Sequence, residues 1–141
     1  MLASLRAKLV ALLLLAIGLL PSAMAGEVLV IGHPGMGKLD GTAIQKIFTG
    51  RIVELGGSPI IAVNQPPGSP ARNRFLEAFL GQDEEKYTAY WTVRRFIGKG
   101  LPPKDLSTAS EIMQFVHTTP GAIDYIDAAE LKPGLNILAR K

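Results

Sequence analysis

The sequence has no cysteine, one tryptophan and two histidines in 141 residues. Without cysteine there can be no disulfide, thiolate metal site or thiol nucleophile, and no lipid anchor on an N-terminal cysteine. The longest apolar run, Leu9 to Leu20, is twelve residues, whereas a membrane-spanning helix needs about 20. A strong charge of either sign is also missing: 15 Lys+Arg stand against 12 Asp+Glu. That balance gives a nucleic-acid partner no support. Beyond the apolar run there is no internal repeat and no low-complexity tract, and no turn-rich stretch is long enough to be a domain linker.

What is present begins with that apolar run. Arg6 and Lys8 precede it, Pro21 breaks it, and Ala23-Met24-Ala25 places small residues at both key positions of a cleavage site. This pattern predicts a secretory signal peptide over residues 1–25, cleavage after Ala25 and a periplasmic location, with no membrane insertion after cleavage. The mature chain would be residues 26–141, with 13 basic and 12 acidic residues once Arg6 and Lys8 are gone. Such a length suits one small domain around one core, and without disulfides its stability must come from apolar packing.

Apolar periodicity predicts the elements. Val28–Ile31 and Ile60–Val63 read as buried strands. Ala43, Ile44, Ile47 and Phe48 have helical spacing between Asp40 and Gly50. Ser69 reads as an N-cap with Pro70 in the first helical position, opening a helix that runs to Leu80 and stops at Gly81. Glu84–Phe96 reads as a helix, and Thr108-x-x-Glu111 as a capping box opening another through His117. Ala122–Ile126 and Leu135–Leu138 read as strands. The order β-α-β-α-α-α-β-β predicts an α/β sheet flanked by helices; the strand order is not readable.

Two glycine-bearing segments carry possible chemistry. Gly32-His-Pro-Gly-Met-Gly-Lys-Leu39 follows the first strand and fits the start of a phosphate-cradling loop. Such a loop needs a hydroxyl after its lysine to hold magnesium, and the residue there is Leu39. Asp40-Gly41, a turn signal, also delays the helix whose N-terminus should face the phosphates. A turn between strand and helix is the better reading, and no ATP binding is expected.

The second segment, Gln65-Pro-Pro-Gly-Ser-Pro-Ala-Arg-Asn-Arg-Phe75, puts Ser69 at a helix N-cap, with Arg72 and Arg74 close behind. Cations there oppose the helix dipole. An anion held by the Ser69 hydroxyl, the first-turn amides and the Arg72 guanidinium would relieve that conflict. The same residues also allow a purely structural reading, in which Ser69 only caps and both arginines are solvated.

Three motifs occur in order along the chain: Ile47-Phe-Thr-Gly-Arg51, the strand leading into Gly68-Ser69 and its helix, and Thr119-Pro-Gly-Ala-Ile123. Together they resemble the phosphate-binding component of the phosphate ABC transporter, over about residues 28 to 128. The resemblance implies the type 2 periplasmic binding protein fold, here a single lobe with a central β-sheet flanked by helices. It implies a non-enzymatic binding protein for phosphate or a similar oxyanion, with Gly68, Ser69 and Arg72 as ligand-binding residues and no cofactor. It implies as partner an ABC transporter permease or another envelope protein. The family's anion turn reads Gly-Ser-Gly-Thr-Arg. Here Pro70 replaces the second glycine and removes an N–H, and Ala71 replaces the threonine hydroxyl, so weak binding is expected. The alternative is a periplasmic interaction or regulatory protein that keeps the fold and has lost the ligand.

The remaining candidates read as structural. His33 and His117 would need acidic co-ligands to hold a metal, and no metal site is expected. Tyr87, Tyr90 and Trp91 have the spacing of a core-facing helix stripe. Asp124 is unusual where the family carries glycine, and an acid there would repel an anion. No arrangement of nucleophile and base suggests an enzyme.

Overall fold

The computed structural model describes residues 26–141, and the predicted signal peptide lies outside them. Strand β1, Val28–Gly32, is buried along its whole length. Its uninterrupted apolar run reflects burial on both faces. Val28 and Val30 enter one core, while Leu29 and Ile31 enter another on the opposite face. Helix α1, Gly41–Phe48, follows, with the Asp40 carboxylate accepting from the Ala43 N–H at 2.7 Å. It sends Ile44, Ile47 and Phe48 into the first core.

A two-residue hairpin that the periodicity does not foreshadow comes next, β2 Glu54–Leu55 with β3 Ser58–Pro59. Strand β4 is Ile61–Asn64. Helix α2, Pro70–Phe75, is capped by Ser69 as expected. From Leu76 to Leu80 it widens into a π turn, which ends at Gly81 in the left-handed region. Helix α3 spans Glu84–Phe96 and is capped by Asp83. A short strand β5, Lys104–Asp105, precedes α4, Ala109–Thr118. Thr108 caps α4, while Glu111 reaches back to the Ser107 N–H. Strands β6, Ala122–Asp127, and β7, Asn136–Arg140, complete the chain.

The main sheet has the order β5-β4-β6-β1-β7. Strand β4 runs parallel to β5 and β6, and β1 lies antiparallel between β6 and β7. The first core is filled by α1, α2 and α3, and Phe75 stacks on Tyr125 at 4.0 Å between ring centroids. The second core packs Ile112 and Val116 of α4 against Leu29, Ile31, Ala122 and Ile126. The expected helix-flanked α/β sheet is what the chain adopts. Among the described residues no helix is long and apolar enough to cross a membrane.

One glycine is fixed by close approach. Gly121 lies at φ +78°, and a Cβ there would sit 2.1 Å from the Pro59 carbonyl oxygen. Its own carbonyl accepts the Ile61 N–H at 2.8 Å, locking the β6 entry to β4. Gly121→Ala is expected to cost about 2–4 kcal/mol, combining left-handed strain with overpacking. Gly134→Ala, also at positive φ but in open space, should cost only about 1–2 kcal/mol. Urea denaturation of both variants checks the difference; equal losses would remove the role given to the Pro59 contact.

Candidate functional site

Parallel strands β4 and β5 end together, and the turn after β4 leads directly into α2. The C-terminal ends of such strands and the adjoining helix N-terminus form a natural crevice. A cavity of about 540 Å³ lies there, lined by Asn64, Arg72, Glu84, Tyr87, Arg95 and Asp105 among others.

Arg72 is the centre of this cavity. It is only 5 % exposed, and four of its five N–H groups are taken by the protein. Nε donates to Glu84 Oε2 at 2.8 Å and Nη2 to Glu84 Oε1 at 2.7 Å, a two-pronged pair. Nη1 donates to the Gln65 carbonyl at 2.9 Å and to Asp105 Oδ1 at 3.0 Å. The guanidinium also lies 5.4 Å from the centre of the Tyr87 ring. Burial pulls the Arg72 pKa down, but the Glu84 carboxylate, with smaller help from Asp105, more than offsets it, and the group stays charged. With two carboxylates on one guanidinium, the cluster carries a net formal charge of −1.

Beneath Arg72 lies a buried polar network. Asn64 Nδ2 donates to the Tyr87 hydroxyl at 3.1 Å, which donates to the Phe48 carbonyl at 3.1 Å. The Tyr125 hydroxyl donates to Asn64 Oδ1 and accepts the Gln65 N–H, both at 3.1 Å. Gln65 Nε2 donates to the Tyr125 carbonyl at 3.0 Å. Burial raises the pKa of both tyrosines, so both hydroxyls keep the protons these bonds need. The network fixes the end of β4 and the path of the chain into Gly68 and Ser69.

The three candidate ligand residues are close in sequence but differently engaged. Ser69 Oγ accepts the Arg72 N–H at 3.2 Å, so hydroxyl and arginine meet at the backbone. The guanidinium instead turns to Glu84 and Asp105, buried rather than solvated. Gly68 sits exposed at φ +86°. Most donors of the turn are spent within the chain: Ser69 N–H on the Pro66 carbonyl, Asn73 N–H on the Ser69 carbonyl, Arg72 N–H on Ser69 Oγ. Pro70 has none. Arg74 pairs with Asp127 across the surface. Glu84 and Asp105 as partners of Arg72 are not readable from the sequence. The only sequence signal at Glu84 is its place in a helical first turn, which is the ordinary position of an acid beside a helix N-terminus.

Elsewhere, the Lys38 ammonium donates to the Ile137 carbonyl and the Leu39 N–H to the Leu138 carbonyl. The glycine-rich loop thus spends its lysine on β7. His33 Nδ1 lies 3.1 Å from the Val116 carbonyl, and His117 is exposed. No group of three or more metal-ligating side chains occurs among the described residues. Tyr87 and Trp91 are buried in the first core, with Tyr90 packed beside them.

With this geometry in view, the chain can be placed by fold. It has the architecture of one lobe of a type 2 periplasmic binding protein, as its similarity to solved phosphate receptors shows. An ABC-type phosphate transport receptor from Vibrio cholerae matches with a TM-score of 0.54 and 12% identity, over 79% of this chain and 44% of that one. A protein described as a phosphate ABC transporter substrate-binding protein from Clostridium perfringens, solved with bound phosphate, matches with a TM-score of 0.60 and 19% identity, over 79% and 43%. PstS from Borrelia burgdorferi matches with a TM-score of 0.58 and 19% identity, over 79% and 46%. The chain therefore spans less than half the length of each of these proteins. No protein-family model and no curated protein sequence matches it.

Asp124 stands apart from the cleft lining. It alternates along β6 with Ile123 and Tyr125, so it points toward the α4 face and is fully buried. Oδ1 accepts the Tyr125 N–H at 2.6 Å and Oδ2 has no partner. Burial pushes its pKa well above the usual carboxylate value. The folded state holds a proton that the unfolded chain releases above about pH 3.9. Stability from this group is therefore full below that value and declines as the pH rises toward the folded pKa. Asp124→Asn, which removes the titration, should melt higher than wild type at neutral pH, and the gap should narrow as the pH falls toward about 4. Thermal melts of both proteins across this range check it; a gap independent of pH would contradict the assignment.

Proposed function

We propose that the chain is an exported, non-enzymatic binding module built as one lobe of the phosphate-binding-protein fold. Phosphate or a similar oxyanion would reach its Gly68-Ser69-Arg72 turn only by displacing the protein's own Glu84 carboxylate. The observation that carries this reading is the two-pronged Arg72–Glu84 pair at the C-terminal end of β4. A carboxylate and a phosphate oxygen pair make the same kind of contact with a guanidinium, so Glu84 is a competitor tethered in place. Asp105 adds a second negative charge. Export is supported by the leader pattern over residues 1–25 and by the similarity to phosphate transport receptors. Two of the solved proteins that the chain matches in fold are described as a transport receptor and a substrate-binding protein, which supports binding rather than catalysis.

A second reading is favoured by the same contacts. If Glu84 and Asp105 satisfy Arg72 permanently, the lobe keeps the fold and works by docking to an envelope component such as a transporter permease. Calorimetry separates the two. Under the oxyanion reading, the wild type binds phosphate with a Kd in about the millimolar range. Glu84→Gln, which removes the competing charge and keeps the shape, tightens binding by about tenfold or more. Arg72→Gln abolishes the heat. If neither wild type nor Glu84→Gln gives phosphate or sulfate heat at millimolar ligand, the oxyanion reading fails and the docking reading takes its place.

A further inference from the structure

From Lys86 to Lys104 the chain has five cations and no acid, in a protein whose overall charges nearly balance. This stretch covers most of α3 and the loop to β5. Its apolar residues divide between two faces. Tyr87 and Trp91 are buried in the first core. Val93, Phe96 and Ile97, spaced i, i+3 and i+4, form a second stripe at the end of α3. They are 60, 89 and 58 % exposed, and Leu101 in the following loop is 71 % exposed. Phe96 falls about half a turn round the helix from Tyr87, so it points directly away from the core. At these exposures Val93, Phe96 and Ile97 protrude, while Leu101 stands at the rim of the cavity beside Arg72.

The cations around them are free to act outward. Arg94 is the exception. Its guanidinium lies 5.5 Å from the Tyr90 ring centre and 5.7 Å from that of Trp91, and it donates to the Lys99 carbonyl at 3.3 Å. Arg95, Lys99 and Lys104 are exposed and form no salt bridge among the described residues. Along the chain, three unpaired cations thus lie within three residues of an exposed set of one aromatic and three aliphatic side chains.

We propose that the tip formed by Val93, Phe96, Ile97 and Leu101, with Arg95, Lys99 and Lys104 around it, is a peripheral docking surface for an anionic phospholipid membrane. Charge complementarity identifies the occupant: cations sit at the level of anionic headgroups while apolar tips enter the acyl boundary. An acidic protein would satisfy the cations too, but it would need a preformed pocket for each protruding side chain, whereas a fluid lipid interface receives them without one. The contact lies on the membrane and does not span it. It shares the rim residues Arg95, Leu101 and Lys104 with the cavity beside Arg72, but it needs neither Glu84 nor the Ser69 turn, so vesicle binding and phosphate binding are read separately.

Both cores lie within residues 28–138, so protein beginning at Gly26 keeps the folded unit and removes the apolar leader from the test. Its co-sedimentation is measured with vesicles of phosphatidylcholine alone and of phosphatidylcholine mixed equally with phosphatidylglycerol. Binding is expected to the anionic vesicles and to weaken with added salt. Arg95→Gln with Lys99→Gln should lower the partition constant roughly twenty-fivefold, about fivefold per charge. Phe96→Ser should lower it about tenfold. Both changes are at exposed positions, so circular dichroism should show an intact fold. Absence of binding to anionic vesicles at low salt overturns the proposal. So does wild-type binding by either variant, or an acidic protein partner captured by this surface when vesicles are not bound.

Discussion

A guanidinium almost wholly removed from water cannot stand alone, because an unpaired buried charge costs several kcal/mol. Arg72 meets that requirement with groups from three separate parts of the chain. They are the Gln65 carbonyl just after β4, Glu84 in the first turn of α3 and Asp105 at the end of β5. Satisfying it brings the α3 N-terminus and the short edge strand to the end of the sheet. The Asp105 contact, half in water, adds little energy of its own. Glu84 engages both its oxygens and is the stronger anchor. Tyr87 and Asn64 beneath them continue the polar chain into the core as far as the Phe48 carbonyl.

The parts of the fold legible in the sequence are those set by neighbours along the chain. Asp40, Ser69, Asp83 and Thr108 all cap helices, and the Ser69 and Thr108 caps can be read directly because a cap acts over three or four residues. The buried strands declare themselves by β-branched runs. The two-residue strands β2, β3 and β5 do not, because so short a strand has no periodicity. The π turn after Phe75 is also silent: Leu76, Phe79 and Leu80 keep the same apolar pattern an α-helix would show. In the candidate site, Ser69 and its helix could be read, but not the fate of Arg72. Its carboxylate partners lie 12 and 33 residues away, brought there by the placement of α3 and by the pairing of β5 with β4. A sequence reading that treats the arginine as free overlooks contacts that topology makes.

The motifs through which the chain resembles phosphate receptors serve packing. In Ile47-Phe-Thr-Gly-Arg51, Ile47 and Phe48 enter the core, while Gly50 at φ +72° passes so near Trp91 that a Cβ would lie 2.7 Å from its ring. In Thr119-Pro-Gly-Ala-Ile123, Gly121 passes under Pro59 and Ile123 joins the first core. Similarity carried by such residues reports a shared fold, and it is compatible with 12–19% identity to the solved receptors. It does not by itself carry a ligand across. At the turn after β4, Pro70, Ala71 and the Glu84 pair leave few free donors for the anion site proposed there.

A single lobe changes the energetics of any such site. An anion enclosed between two lobes is desolvated completely, and each charged hydrogen bond then acts in a low dielectric. On one lobe the outer side of the anion stays in water, and the same contacts are worth less. An exposed turn therefore gains little from keeping every donor free, whereas a buried arginine gains much from a permanent carboxylate. Glu84 on Arg72 satisfies a guanidinium that would otherwise be buried and unpaired in the absence of ligand. The same reasoning predicts that Arg72→Gln, which leaves Glu84 and the Gln65 carbonyl without their donor, should cost about 2–4 kcal/mol of folding stability even with no phosphate present. Urea denaturation in phosphate-free buffer measures it. A loss below about 0.5 kcal/mol would mean that the ion pair does not organise this end of the sheet.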